Sequence, residues 1–178
     1  MSLKEKMILV TGGGLILILL KLLLRISDIN HHLFLLVPVS FIVEVFCNDP
    51  SQFIPRQGFL FPGPGIIINQ SCSGSTFMLT ALLPAGYLLL KYSRSRNIFF
   101  GHLPLALLLV YALTILANAT RILTALKLKS TSFFTGYIMP ENLHELQGMA
   151  TYLFYLITAF LLTEKWLQLK SRTYAHVA

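Results

Sequence analysis

The sequence predicts an all-α fold: a polytopic integral membrane helix bundle of about five transmembrane helices in a single domain, residues 1–178. Three observations carry that expectation. The chain is 55% hydrophobic and only 12% charged, whereas soluble domains run near 45–50% and 25%. Its mean hydropathy is +0.71. Apolar runs approaching the ~20 residues needed to cross a bilayer recur five times. They lack the alternation of a membrane barrel, so their backbone groups must be paired within helices. The net charge of +7 would suggest nucleic acid in a soluble protein. Here the basic residues fall in twos and threes between apolar runs, with no stripe of interleaved aromatics. No nucleic acid is expected as a partner; the lipid bilayer is.

The first span runs from about Met7 to Ile26 and is interrupted by Lys21. Lys4 and Lys6 before an apolar run also describe a signal peptide, but no small-residue cleavage site follows, and Lys21 and Arg25 close the run. It is therefore read as a retained span. The second, Ile29 to Cys47, carries Glu44. A carboxylate is costly in lipid, and Arg56 or Arg121 is its expected partner. Residues 48–70 form a Pro/Gly-rich outer loop, with Pro50, Pro55, Pro62, Pro64, Gly58, Gly63 and Gly65 around Phe53, Phe59 and Phe61. It reads as an interfacial loop anchored by aromatics, or as a wall guiding an extended peptide. The third span, Ser73 to Leu90, contains no charge; the fourth covers Ile98 to Thr120 and the fifth Leu146 to Thr163.

Basic residues set the orientation, since short cytoplasmic loops are enriched in Lys and Arg. With the N-terminus outside, Lys21, Arg25, the basic residues of the 91–96 turn, Lys165, Lys170 and Arg172 face the cytoplasm, eight of the 14. Lys4, Lys6, Arg56, Arg121, Lys127 and Lys129 are then outside. If the first segment is re-entrant or interfacial, the N-terminus moves inside and the rest of the map is unchanged.

In that map three helix ends share the outer face. The third span opens at Asn69-Gln70-Ser71-Cys72-Ser73-Gly74, the fourth closes at Asn118-Ala119-Thr120-Arg121, and the fifth is entered through Asn142-Leu143-His144. Cysteine, arginine and histidine are the types needed for acyl transfer by a thiol. Cys72 stands at a helix N-terminus, where the dipole favours thiolate. Ser73 and Gly74 allow close backbone approach. His144 would take the thiol proton and return it to the leaving amine. Arg121 would hold the oxyanion or a substrate carboxylate. Asn118, one turn earlier on the same face, would orient Arg121. Glu145 points elsewhere on the helix, so Asn142 or a backbone carbonyl is the expected orienter of His144. Each residue alone has a plainer explanation: a cysteine as apolar filler, an arginine snorkelling to the interface, a histidine at the surface. Their coincidence at one face is what suggests chemistry. A Cys47–Cys72 disulfide would make Cys72 structural.

These blocks resemble the exosortase/archaeosortase family, most closely the small form called exosortase K. The likeness covers about Phe59 to Leu162 and rests on Cys72-Ser73-Gly74, on Asn118-Ala119-Thr120-Arg121-Ile122, and on His144 four residues before Gly148. The resemblance implies a membrane-embedded cysteine transpeptidase or protease of the bacterial inner membrane, active at the extracytoplasmic face. Its expected substrates are surface-bound proteins ending in a short motif, a transmembrane helix and a basic tail. Cys72, Arg121 and His144 carry over as the catalytic set. The chain has fewer spans than the larger members, which bears on substrate handling more than on chemistry. No cofactor is implied, and no metal, since the few histidines lack ligand spacing. The alternative from another class is a non-enzymatic small membrane transporter or assembly scaffold, with Arg121 binding an anion or pairing with Glu44.

Overall fold

A computed structural model describes residues 2–93, 95–130 and 140–177, with backbone alone described at residues 25, 129–130, 140–144 and 171–177. Among the described residues, five helices are long and apolar enough to cross a membrane, as expected of a multi-pass membrane protein. The first, α1 (Leu3–Ile26), starts at a capping box in which Ser2 and Glu5 satisfy each other's backbone N–H groups. Its span packs only lightly on α3 (Ser75–Tyr92) and leaves its 18-residue apolar window with 0% buried. Such an all-round apolar helix is suited to lipid. A short 3-10 turn (Ile29–His32) leads into α2 (Leu33–Cys47), which stops at Asn48 in the left-handed conformation (φ 51°).

The 48–70 segment is more ordered than a loop. It folds as an antiparallel three-stranded sheet, β1 (Gln52–Ile54), β2 (Gly58–Phe61) and β3 (Ile66–Ile68), in sequential order. Turn residues Pro55–Gln57 and Pro62–Gly65 separate short apolar strands, which is the pattern of two hairpins. Phe53 sits opposite Phe59 across the first pair, with ring centroids 5.2 Å apart. Gly58 (φ 119°) is required, because a Cβ there would lie 2.2 Å from the Ile68 carbonyl oxygen. Phe61 and Ile68 are fully buried against Leu36, Val39 and Val43 of α2, and against Ala119 and Ile122 further along the chain. One face of the sheet is thus part of the core.

The long helix α4 (Arg96–Ser130) is the axis of the bundle and packs against α2, α3 and α5 (Pro140–Val177). A second apolar cluster joins Phe77 and Ala81 of α3 to Val110 and Ala117 of α4, bordered by Tyr152, Tyr155 and Leu156 of α5. At one end of the bundle lies the α3–α4 turn, where Lys91 pairs with Glu164. At the other lie the start of α3, the Asn118–Arg121 turn of α4 and the first described turns of α5.

Two expectations need correction. Lys21 and Arg25 were expected at the end opposite Cys72, yet the α1–α2 turn adjoins the Cys72 segment. The Gln70 side-chain amide donates to the Ser27 carbonyl at 2.9 Å, and Lys21 lines the same cavity as Arg121. Tyr111 of α4 donates to the Phe34 carbonyl at 2.7 Å, so α2 packs along the second half of α4 instead of starting at its beginning. Glu44 also pairs with neither arginine. Its carboxylate accepts from the backbone N–H (3.0 Å) and the hydroxyl of Ser51, stapling the turn into β1. Hydrogen bonds within the turn stabilise the charge without a distant cation.

Candidate active site

The segment before α3 is built to hold one cysteine in a fixed place. The Asn69 side-chain oxygen accepts from the backbone N–H and hydroxyl of Ser71 (3.1 and 2.6 Å), starting the 3-10 turn Gln70–Cys72. The N–H groups of Cys72 and Ser73 close onto the carbonyls of Asn69 and Gln70. Ser73 is buried, and its hydroxyl accepts from the Ser75 N–H at 3.3 Å. Gly74 then adopts φ 76° to let α3 begin. Its missing side chain matters, because a Cβ would lie 3.1 Å from Asn118 Cγ.

Asn118, fully buried on α4, uses this closeness. Its amide nitrogen donates to the Cys72 carbonyl, and its oxygen accepts from the Tyr152 hydroxyl of α5 at 2.8 Å. One turn further on, the Arg121 guanidinium lies over the Tyr152 ring, 5.4 Å from its centroid. This is cation–π geometry. Gly148 gives Arg121 its room: a Cβ there would stand 3.3 Å from Cδ and 3.4 Å from Nη1. Gln147 donates to the Arg121 carbonyl at 3.2 Å, and Thr120 and Tyr155 share a hydrogen bond of 2.8 Å, so α4 and α5 are fastened on both sides of the arginine. The Arg121 Nε is buried and has no hydrogen-bond partner among the described residues.

Beside these groups opens a cavity of about 1400 Å³. Lys21, Arg56 and Arg121 face it, as do Gly74, Thr76 and Tyr152. Among the described residues, none of the three cations forms an ion pair; the pair that does form is Lys91–Glu164. The carboxylate of Asp28 also lines the cavity, so three cations stand against one anion, a balance that favours an anionic group or a developing negative charge. The Cys72 thiol is half-buried, 4.0 Å from the Ser71 hydroxyl, and packs against the apolar cluster beneath the sheet. Its neighbours Ser71 and Gly74 reach the cavity wall. Both cysteines are free thiols.

The structure therefore brings together Cys72, Ser73, Gly74, Asn118 and Arg121, from segments 46 residues apart in sequence. Asn118 meets Cys72 directly, where it was expected to orient Arg121. The backbone of α5 carries Asn142 and His144, the latter one turn before Gly148; their side chains lie outside the described residues. Tyr152 was missed, although Gly148 and Tyr152 are four residues apart and continue the helical stripe that starts at His144. His32 and Gln70 were missed as well. His32 is buried, and its Nε2 sits 3.1 Å from the Gln70 amide nitrogen, tying the α1–α2 turn to the cysteine segment. Among the described residues no group of three or more metal-ligating side chains assembles. The chain matches no protein-family model, no curated protein and no solved structure.

Proposed function

We propose that this chain is a membrane-embedded cysteine transpeptidase or protease of the exosortase/archaeosortase type, acting at the extracytoplasmic face of the bacterial inner membrane. The observation that carries the reading is the Asn118 bond to the Cys72 carbonyl, which joins two of the three motif blocks, with Arg121 one turn away on a cavity wall. A substrate protein ending in a short motif, a membrane helix and a basic tail would enter laterally, placing its scissile bond in the cavity. For this chemistry the Cys72 sulfur must turn about its Cα–Cβ bond, out of the apolar cluster and into that space. The thiolate adds to the peptide carbonyl, and Arg121 stabilises the oxyanion. His144 protonates the departing amine, leaving a thioester on Cys72. An amine acceptor or water then takes the acyl group.

In this reading Lys4 and Lys6 lie in the cytoplasm. The end of α1 adjoins the start of α3, so if α1 spans, its N-terminus lies at the end of the α3–α4 turn. That turn carries Lys91 and Arg96, the basic cluster expected inside.

The test is co-expression with a protein from the same source that ends in motif, helix and basic tail. Cys72→Ala abolishes its cleavage while the enzyme still inserts and accumulates, and Cys47→Ala cleaves normally. Full cleavage by Cys72→Ala rejects the covalent mechanism. The three cavity cations support a second reading, a carrier or scaffold for an anionic ligand, which predicts that Cys72→Ala is silent and Arg121→Ala is not.

A further inference from the structure

We infer that Tyr152 is a positioning residue that sets Cys72 and Arg121 at once; the assignment rests on the cysteine-enzyme reading above. Tyr152 touches each of the three helices that carry the motif blocks. On α3, its ring stacks on Phe77 at 4.7 Å and 27°. On α4, it meets Asn118 through its hydroxyl and Arg121 through its ring. Its own helix, α5, places it two turns after His144.

The hydroxyl and the ring do separable things. A carboxamide has a donor end and an acceptor end of nearly the same shape, so a buried asparagine needs a neighbour to fix which way it points. Asn118 is fully buried, and the Tyr152 hydroxyl donates to its oxygen. The nitrogen is thereby turned toward the Cys72 carbonyl. Flipping the amide would set oxygen against oxygen and release the cysteine turn. The Tyr152 hydroxyl thus governs, through Asn118, the carbonyl of the residue bearing the nucleophile. The ring acts on Arg121 by another route. It offers a flat face for the guanidinium, and Gly148, one turn earlier on the same face of α5, leaves the arginine room to lie there. Among the described residues no carboxylate pairs with Arg121, which leaves its charge available to an oxyanion. A carboxylate in place of the ring would hold Arg121 equally well and cancel it.

Tyr152→Phe removes the hydroxyl and keeps the ring; Tyr152→Leu removes both. Each is made in the Cys47→Ala background and assayed in two ways. The first readout is the rate of Cys72 alkylation by iodoacetamide, which needs no substrate. The second is kcat and KM for cleavage of the co-expressed substrate protein. Tyr152→Phe is expected to change the alkylation rate at least threefold and to lower kcat about 3- to 10-fold, the scale of one hydrogen bond, with KM unchanged. Tyr152→Leu lowers kcat further, by about 100-fold or more, and in that variant Arg121→Ala adds little. Asn118→Leu, which keeps the volume but loses the donor without adding a charge, reproduces the Tyr152→Phe alkylation change. Wild-type alkylation and kcat in Tyr152→Phe overturn the assignment. So does a loss that simply matches the fraction of protein unfolded in a thermal melt. If Cys72→Ala itself still cleaves, the enzyme reading falls, and the alkylation series alone then decides whether Tyr152 sets the cysteine turn.

Discussion

Gly74 and Gly148 are the two positions where a single methyl group would separate the site's parts. Gly74 combines φ 76° with Asn118 3.1 Å from where a Cβ would stand. Gly74→Ala meets backbone strain and a close contact together, each on the order of 1 kcal/mol or more. It is expected to lower the melting temperature and slow cleavage. Gly148→Ala meets Arg121 Cδ at 3.3 Å, at the end of a flexible side chain. The arginine can move aside, so this variant should keep its melting temperature while losing at least tenfold in kcat, measured on the same substrate. At this scale the sequence was largely legible. Cys72, Gly74, Asn118 and Arg121 stand out because polar and small residues are rare in apolar helices. Tyr152 did not stand out, because an aromatic in a membrane helix is ordinary until its hydroxyl partner is known. The carboxylate of Glu44 was assigned a cation from afar when Ser51, seven residues on, satisfied it.

The sheet is the element that sequence periodicity concealed. Strands of three and four residues in a Pro- and Gly-rich stretch give too short a run for alternation to register. What fixes them is burial: Phe61 and Ile68 are at 0% and 1% exposure in the cluster that also receives Cys72 from the side. Phe61→Ala should cost roughly 3–5 kcal/mol, read as a drop in thermal stability of detergent-solubilised protein. Because that cluster supports the cysteine turn, Cys72 alkylation should also accelerate. Phe53→Ala, a residue 44% exposed whose ring pairs with Phe59, should change stability by less than about 1 kcal/mol. The helices were legible within a few residues because five long apolar runs leave no other solution in lipid. The lengths of α4 and α5 were not, since their polar ends lose the apolar signal while remaining helical.

For the molecule as a whole, charge counting set the α1–α2 turn at the wrong end. The positive-inside rule weighs clusters, and Lys21 with Arg25 resembles one. Nothing in the sequence shows that Gln70 will reach back 43 residues to the Ser27 carbonyl. A compartment-sensitive reporter fused to the N-terminus should report the cytoplasm, and one fused after residue 177 should report the same side. An N-terminal reporter outside would mean that α1 does not span in the sense drawn from that contact.

The axial helix also acts as a gauge. Asn118 stands 22 residues beyond Arg96 on α4, which at 1.5 Å per residue is about 33 Å. That rise nearly equals the ~30 Å of hydrocarbon in a bilayer. On the function proposed above, a substrate's membrane helix lying alongside α4 would need an equal length to present its bond beside Cys72. Removing one turn from the substrate's membrane helix would leave the bond several ångströms short, whatever its sequence.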